Sequence, residues 1–219
     1  MNWPEDYMAS KIELIHGDCM EYMAKMPDKS FDLAIVDPPY GIGDFTNSTL
    51  SEGRKVTVSK FNGTVRWNDE IPKQEYFKEI IRVSKEQIIW GANYYNCFPK
   101  NGAAIVWYKH TKHPNYSDCE IASYSKGVRV AYVSIEWYSL NRKEITIHPC
   151  QKPIDLYAWC LKNYAKEGNK ILDTHLGSGS IAIACYDMGY DLTGFEIDLE
   201  YYNAAVKRLE THKKQLTLF

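Results

Sequence analysis

Short apolar runs alternate along the chain with stretches whose apolar residues recur at helical spacing, a pattern that predicts a sheet covered by helices. The runs predict strands at 12–16, 31–36, 87–90, 103–107, 129–135, 170–172 and 191–195. Helices are predicted at 19–25, 73–83, 154–164, 180–188 and 200–213. Pro153 suits the first turn of a helix, and Gly189 suits the position just past the end of one. From Gly41 to Asn68 the chain is rich in Gly, Ser, Thr and Asn with no sustained period, so 41–68 is expected to be a long loop. There is no internal repeat, and 219 residues suit one domain spanning 1–219.

Composition narrows the class. Hydrophobic residues make up 45% and charged residues 25%, which is ordinary for a globular chain and argues against disorder. No apolar run reaches membrane-spanning length, and MNWPEDYMAS lacks the basic start and apolar middle of a signal peptide. A soluble, cytoplasmic protein with no membrane partner is the expectation. Six cysteines without a C-x-x-C spacing read as reduced thiols, and His110 and His113 lack a second ligand pair, so no metal is expected.

The net charge of −2 excludes a generic basic nucleic-acid binder. Basic residues outnumber acidic ones between Lys100 and Lys152, and Arg54, Lys55, Lys60 and Arg66 form a second basic run. Phosphate contacts and a solvated surface are both open readings of these charges.

Three constellations carry chemistry. Asp37-Pro38-Pro39-Tyr40 follows the apolar run FDLAIV, where an open α/β sheet places its ligands beyond the C-terminal end of a strand. Two prolines stiffen the turn, and their carbonyls remain free as acceptors. A primary amine could donate to Asp37 and to the Pro38 carbonyl while its ring stacks on Tyr40. The same residues would also serve as a strand-ending turn with a packed tyrosine.

Asp173-Thr174-His175-Leu176-Gly177-Ser178-Gly179-Ser180 joins a strand to an apolar helix through a glycine turn. Glycines allow close backbone approach to a ligand, and the helix start presents unpaired N–H groups. Glu196 ends the next strand, where a carboxylate can accept from both hydroxyls of a ribose. The turn is not the dinucleotide fingerprint, so a nucleoside cofactor without a pyrophosphate fits it, as does a plain packing turn. The third constellation, His148-Pro149-Cys150-Gln151-Lys152-Pro153, is a basic turn before a helix whose residue types alone do not declare a role.

Together and in this order, the three resemble the DNA amino-methyltransferases of the β-class, in which D-P-P-Y precedes H-P-x-Q-K-P and the cofactor motif follows. The resemblance extends to Gly17-Asp18 and covers nearly the whole chain. It implies an α/β, Rossmann-like S-adenosylmethionine-dependent methyltransferase fold. In that fold a mostly parallel seven-stranded sheet carries helices on both faces, with permuted motif order.

The resemblance assigns Asp37, Pro38, Pro39 and Tyr40 to catalysis. It assigns Asp18, Gln151, Lys152, Asp173, Thr174, His175, Gly177, Ser178, Gly179, Ser180 and Glu196 to S-adenosylmethionine. Asp18 is expected at the cofactor's adenine, with Gln151 and Lys152 at its methionine end. The family's Pro-Phe after the motif aspartate is replaced here by Thr174-His175. The implied activity is methylation of the N6 amino group of adenine in DNA by base flipping. N4-cytosine methylation and a catalytically silent DNA-binding module of the same fold are the alternatives. Asp37 favours adenine, because the N4-cytosine members more often carry Ser there. Relatives acting on RNA or protein glutamine place an Asn-Pro-Pro-Tyr motif after the cofactor motif.

The interval 109–147, with Lys109, Lys112, Lys126, Arg129, Arg142 and Lys143 among tyrosines and Trp137, is expected to be a short target-recognition insertion. Its brevity suggests a loosely read site or help from a second subunit in a homodimer. The tail at 214–219 contains Gln215, Leu216, Thr217, Leu218 and Phe219. It resembles the peptide by which bacterial replication proteins dock on the sliding clamp, and as an extended peptide its apolar residues would be the anchors.

Overall fold

The computed structural model describes residues 10–42, 70–111, 117–137, 146–148 and 150–216. In chain order the elements are β1 (Ile12–His16), α1 (Cys19–Met23), β2 (Phe31–Val36), α2 (Gln74–Val83), β3 (Ser84–Trp90), β4 (Ala104–Tyr108) and β5 (Cys119–Tyr124). They continue with β6 (Val130–Ser134), α3 (Ile154–Tyr164), β7 (Lys170–Asp173), α4 (Ser180–Met188), β8 (Asp191–Glu196) and α5 (Leu199–Leu216). Among the described residues one eight-stranded sheet runs in the order β1-β8-β7-β2-β3-β5-β4-β6. Every neighbouring pair is parallel except those made by β5, which is antiparallel to both β3 and β4.

Alternation along β2 divides the core. Leu33 and Ile35 face α3 and α4 through Leu156, Leu161, Ile181 and Ile183, and Ala205 and Leu209 of α5 complete that layer. Ala34 and Val36 face the other way, onto Met23 of α1 and Tyr76, Phe77 and Ile80 of α2. Each fully buried Leu, Ile, Val or Met among these contributes roughly 1.5–3 kcal/mol. Helix α4 is buried from Ser180 to Cys185, which explains why its sequence is apolar all round. It lies between Gly179 and Gly189, both left-handed at φ 71° and 74°, and Gly189 is the expected stop. At Gly179 a Cβ would also come within 3.1 Å of the Ala205 Cβ, so the turn packs directly on α5.

The seven predicted strands are all present, but the sheet has eight, and the seven-stranded expectation is corrected by β5. Its sequence CEIASY offers only Ile121 as a β-branched residue and sets Glu120 and Ser123 into the pattern, so periodicity did not reveal it. Both β5 and β6 lie inside 109–147, so much of the interval expected as an insertion is sheet. Residues 112–116 and 138–145, and the expected loop beyond Ile42, lie outside the described residues. Helix α5 runs to Leu216, so the expected tail begins as helix, and 217–219 lie outside the described residues. Among the described residues no helix is long and apolar enough to cross a membrane.

Candidate active site

Strand order assembles the site. The C-terminal ends of β1, β8, β7, β2 and β3 stand side by side, so Asp18, Glu196, Asp173, Asp37 and Gly91 fall in one row despite their separation in the chain. Leu33 and Ala34 of β2 pair with Ile171 and Leu172 of β7, which brings the turns after Val36 and Asp173 together. Lys109 follows β4 at the same edge. Because β5 runs the opposite way, its first residues, Cys119 and Glu120, also arrive there.

The Asp37 corner is filled by its own side chains. Lys152, with a side chain only 3% exposed, places Nζ 2.5 Å from Asp37 Oδ2 and 3.0 Å from Glu120 Oε2. Lys109 Nζ lies 3.0 Å from the other Glu120 oxygen. Tyr40 donates its hydroxyl to Asp37 Oδ1 at 2.6 Å and accepts from Lys152 at 3.1 Å. Two cations thus face two carboxylates. Burial works against the charge on Lys152, yet Asp37 and Glu120 outweigh it and raise its pKa. Burial would likewise raise Glu120, but Lys152 and Lys109 prevail and bring it down to about 2. Asp37 is raised, chiefly by burial, with Glu120 adding to the rise and Lys152 opposing it.

Packing holds the same corner. The Tyr40 and Tyr94 rings stack at 4.8 Å with 14° between planes. Tyr95 donates its hydroxyl to the Pro38 carbonyl at 2.5 Å and to the Pro39 carbonyl at 2.9 Å. At Gly91, φ is 73° and a Cβ would sit 2.3 Å from Tyr40 Cε1, so only glycine lets the Tyr40 ring lie there.

Beside it a cleft opens between Pro38, His148, His175, Gly177, Glu196, Ile197 and Tyr201. Glu196 is preset by the backbone: Oε2 accepts from Gly177 N–H at 2.8 Å and Oε1 from Asp198 N–H at 2.9 Å. A carboxylate offers about four acceptor positions, so others remain for a ligand. Asp173, 1% exposed, accepts at Oδ1 from His175 N–H at 3.0 Å, while buried Oδ2 has no partner among the described residues. Burial raises its pKa to about 8, and the His175 N–H opposes the rise. Burial pushes His148 down to about 3 and His175 to about 4, so both rings are neutral. His148 packs edge-on against Tyr201 at 4.5 Å.

Of the residues expected to hold a cofactor, His175, Gly177, Ser178, Gln151, Lys152 and Glu196 line the same cleft as Asp37, Pro38, Pro39 and Tyr40. Several of the expected residues also make protein contacts. Asp18 caps α1 by accepting from Met20 N–H at 2.8 Å. Thr174 is hydrogen-bonded to Tyr76 at 2.6 Å, which gives the Thr174-His175 departure a local partner. Ser180 accepts from Arg208 at 2.9 Å. Gln151 accepts from Ile147 N–H at 3.1 Å. Lys152, expected at the methionine end of a cofactor, lines that cleft and is held there on Asp37 and Glu120.

Glu120, Tyr94, Tyr95 and the half-exposed Ile197 were not anticipated, and Lys109, expected in the recognition interval, joins the ion cluster. Among the described residues no group of His, Cys, Asp or Glu could hold a metal ion, and His110 bonds Ser134 Oγ at 2.6 Å. All six cysteines are free, and burial pushes Cys19 and Cys150 up to about 12, far from a reactive thiolate.

A model of the DNA methylase family, N6/N4 type, matches residues 59–207. The chain is 27% identical to the type II methyltransferase M2.DpnII of Streptococcus pneumoniae over 95% of its length and 93% of that protein's. It is 26% identical to the putative methylase YubD of Escherichia coli K12, covering 89% and 88% of the two chains. The fold is shared with the M1.HpyAVI–SAM complex at TM-score 0.55 and 21% identity, covering 90% of this chain and all of that one. The cytosine-N4-specific PvuII DNA methyltransferase superposes with TM-score 0.60 at 13% identity, covering 94% and 91%. The cleft and ion cluster at the strand ends therefore belong to a DNA methyltransferase of the N6-adenine/N4-cytosine family, of which this chain is a member.

Proposed function

We propose that the protein methylates the N6 amino group of adenine in DNA, with S-adenosylmethionine as donor. The observation that carries this reading is the placement of Asp37-Pro38-Pro39-Tyr40 at the end of β2, beside the cleft after β7 and β8. The residues present fit the cofactor. The unpartnered Asp173 oxygen suits its ammonium group, and Glu196 suits its ribose hydroxyls. Gly177 keeps the cleft floor free of a side chain, and Ile197 and Tyr201 give it apolar walls. When bound, the cofactor supplies an electrophilic methyl group.

The chain's own residues hold the amine. A paired, stacked base must leave the duplex to reach this depth. Once there, its amino group donates to Asp37 and to the Pro38 carbonyl, which keeps a second lone pair although Tyr95 already occupies one. These bonds fix the nitrogen and draw its lone pair from the ring, so rate acceleration rests on positioning and electrostatics. Asp37 supports adenine over cytosine, because the resembling N4-cytosine enzymes more often carry Ser there. The likeness to the PvuII enzyme is one of fold and does not decide the base.

The test is incubation with methyl-labelled S-adenosylmethionine and unmethylated DNA, followed by digestion to nucleosides. Label in N6-methyladenine is the expected result, and label in N4-methylcytosine overturns the choice of base. Sliding-clamp docking through Gln215, Leu216, Leu218 and Phe219 belongs to the same reading, supported by the likeness of these residues to a clamp-binding peptide. Because α5 includes Gln215 and Leu216, docking as an extended peptide requires its last turn to unwind. Deleting 215–219 is expected to abolish clamp binding and leave methylation of short DNA intact.

A further inference from the structure

Both oxygens of the carboxylate proposed to receive the target amine are already engaged, one by Tyr40 and one by Lys152. A cation on that carboxylate weakens it as an acceptor for a neutral amine, since the ammonium charge competes for the same lone pairs. The Lys152 ammonium has three N–H groups, and Asp37, Tyr40 and Glu120 surround it at 2.5, 3.1 and 3.0 Å. Glu120 is therefore a second counter-ion within reach of the same nitrogen. A shift of a few tenths of an ångström decides which carboxylate holds Lys152 more closely.

We propose that Glu120 is a positioning residue for methyl transfer, drawing Lys152 off Asp37 as the target amine arrives and so freeing Asp37 to accept from it. The inference rests on the assignment of Asp37 to the target amine. Three observations carry it. Glu120 enters the site on β5, the one antiparallel strand of the sheet, and touches Lys152, Lys109 and Tyr40 there. Lys109 anchors Oε1, which leaves Oε2 directed at Lys152. Lys152 lies over the Tyr40 and Trp90 rings at 5.5 and 5.6 Å, so a small displacement keeps it against aromatic faces and away from water.

The experiment compares wild type, E120Q, E120D and the double variant K109M/E120Q. The double variant keeps the cluster neutral, with Lys152 facing Asp37 alone, and so guards against a misfolded E120Q. Single-turnover methyl transfer, KM for DNA, S-adenosylmethionine binding by calorimetry and thermal melting are measured for each. In E120Q and the double variant the transfer rate is expected to fall at least about tenfold, the effect of losing one charged hydrogen bond in the transition state alone. KM and cofactor binding are expected within about threefold of wild type, because neither depends on which carboxylate holds Lys152. E120D is expected to recover most of the rate.

Wild-type transfer rates in the double variant overturn the inference. A parallel loss of rate, cofactor binding and melting temperature, with no rescue by E120D, also overturns it in favour of a packing role. A wild-type protein that moves no methyl group onto DNA overturns the underlying reading instead.

Discussion

The two halves of the cleft handle their polar groups in opposite ways. At the Asp37 corner both carboxylate oxygens are engaged by protein, and two lysines and two carboxylates neutralise one another. At the Asp173–Glu196 corner one buried carboxylate oxygen has no partner among the described residues, and a second carboxylate is held by backbone N–H groups with acceptor capacity to spare. On the proposed assignment the first rearranges to admit its substrate, while the second already offers acceptors to a ligand with donors.

The comparison breaks first at Lys152. Lys152→Met leaves Asp37 without its cation and Glu120 with Lys109 alone, and removing one member of a buried ion cluster costs about 3–5 kcal/mol. Melting temperature should drop clearly, and transfer should fall in a single-turnover assay, because burial without Lys152 holds Asp37 protonated and removes its acceptor. Gly91→Ala attacks the same corner through packing alone. Its Cβ would invade the Tyr40 ring at a left-handed φ, so about 1–3 kcal/mol of strain and a 10- to 100-fold rate loss are expected. Calorimetry should find cofactor affinity unchanged.

Glu196→Gln tests the other corner. It weakens a charged acceptor, which should raise the cofactor Kd by about 10- to 100-fold with a smaller effect on the saturated rate.

Asp173 gives the most pH-dependent effect. Burial raises its pKa from the ordinary 3.8 to about 8, so its stability contribution is fully present below pH 3.8 and is lost as pH rises toward 8. A cationic donor group favours the ionised form. Cofactor affinity should therefore strengthen as pH rises toward 8, and Asp173→Asn should flatten both profiles in titrations by calorimetry and melting.

Sequence periodicity revealed the strands that pack most regularly, including β2 and β8, because their burial alternates or is continuous. The turns after them were legible as chemistry, since two prolines beside an aspartate and glycines before an apolar helix restrict what the backbone can do. Glu120 was hidden because β5 carries a carboxylate among Cys, Ala and Ser, a weak strand signal in an interval that read as DNA contact. Lys152 lies 115 residues from Asp37, and no local spacing could announce that they meet. Tyr94 and Tyr95 follow β3 with no motif around them. Their roles appear only when β3 is placed beside β2. A lone acidic residue in an otherwise uncharged short run was the one available hint.

The most direct measurement is the transfer of labelled methyl groups to unmethylated DNA by wild type and Asp37→Ala, with S-adenosylmethionine binding measured on both. Wild-type labelling of DNA, abolished in the variant while cofactor Kd stays within about threefold, is the predicted result. Undiminished labelling by the variant would contradict the assignment of Asp37 to the target amine.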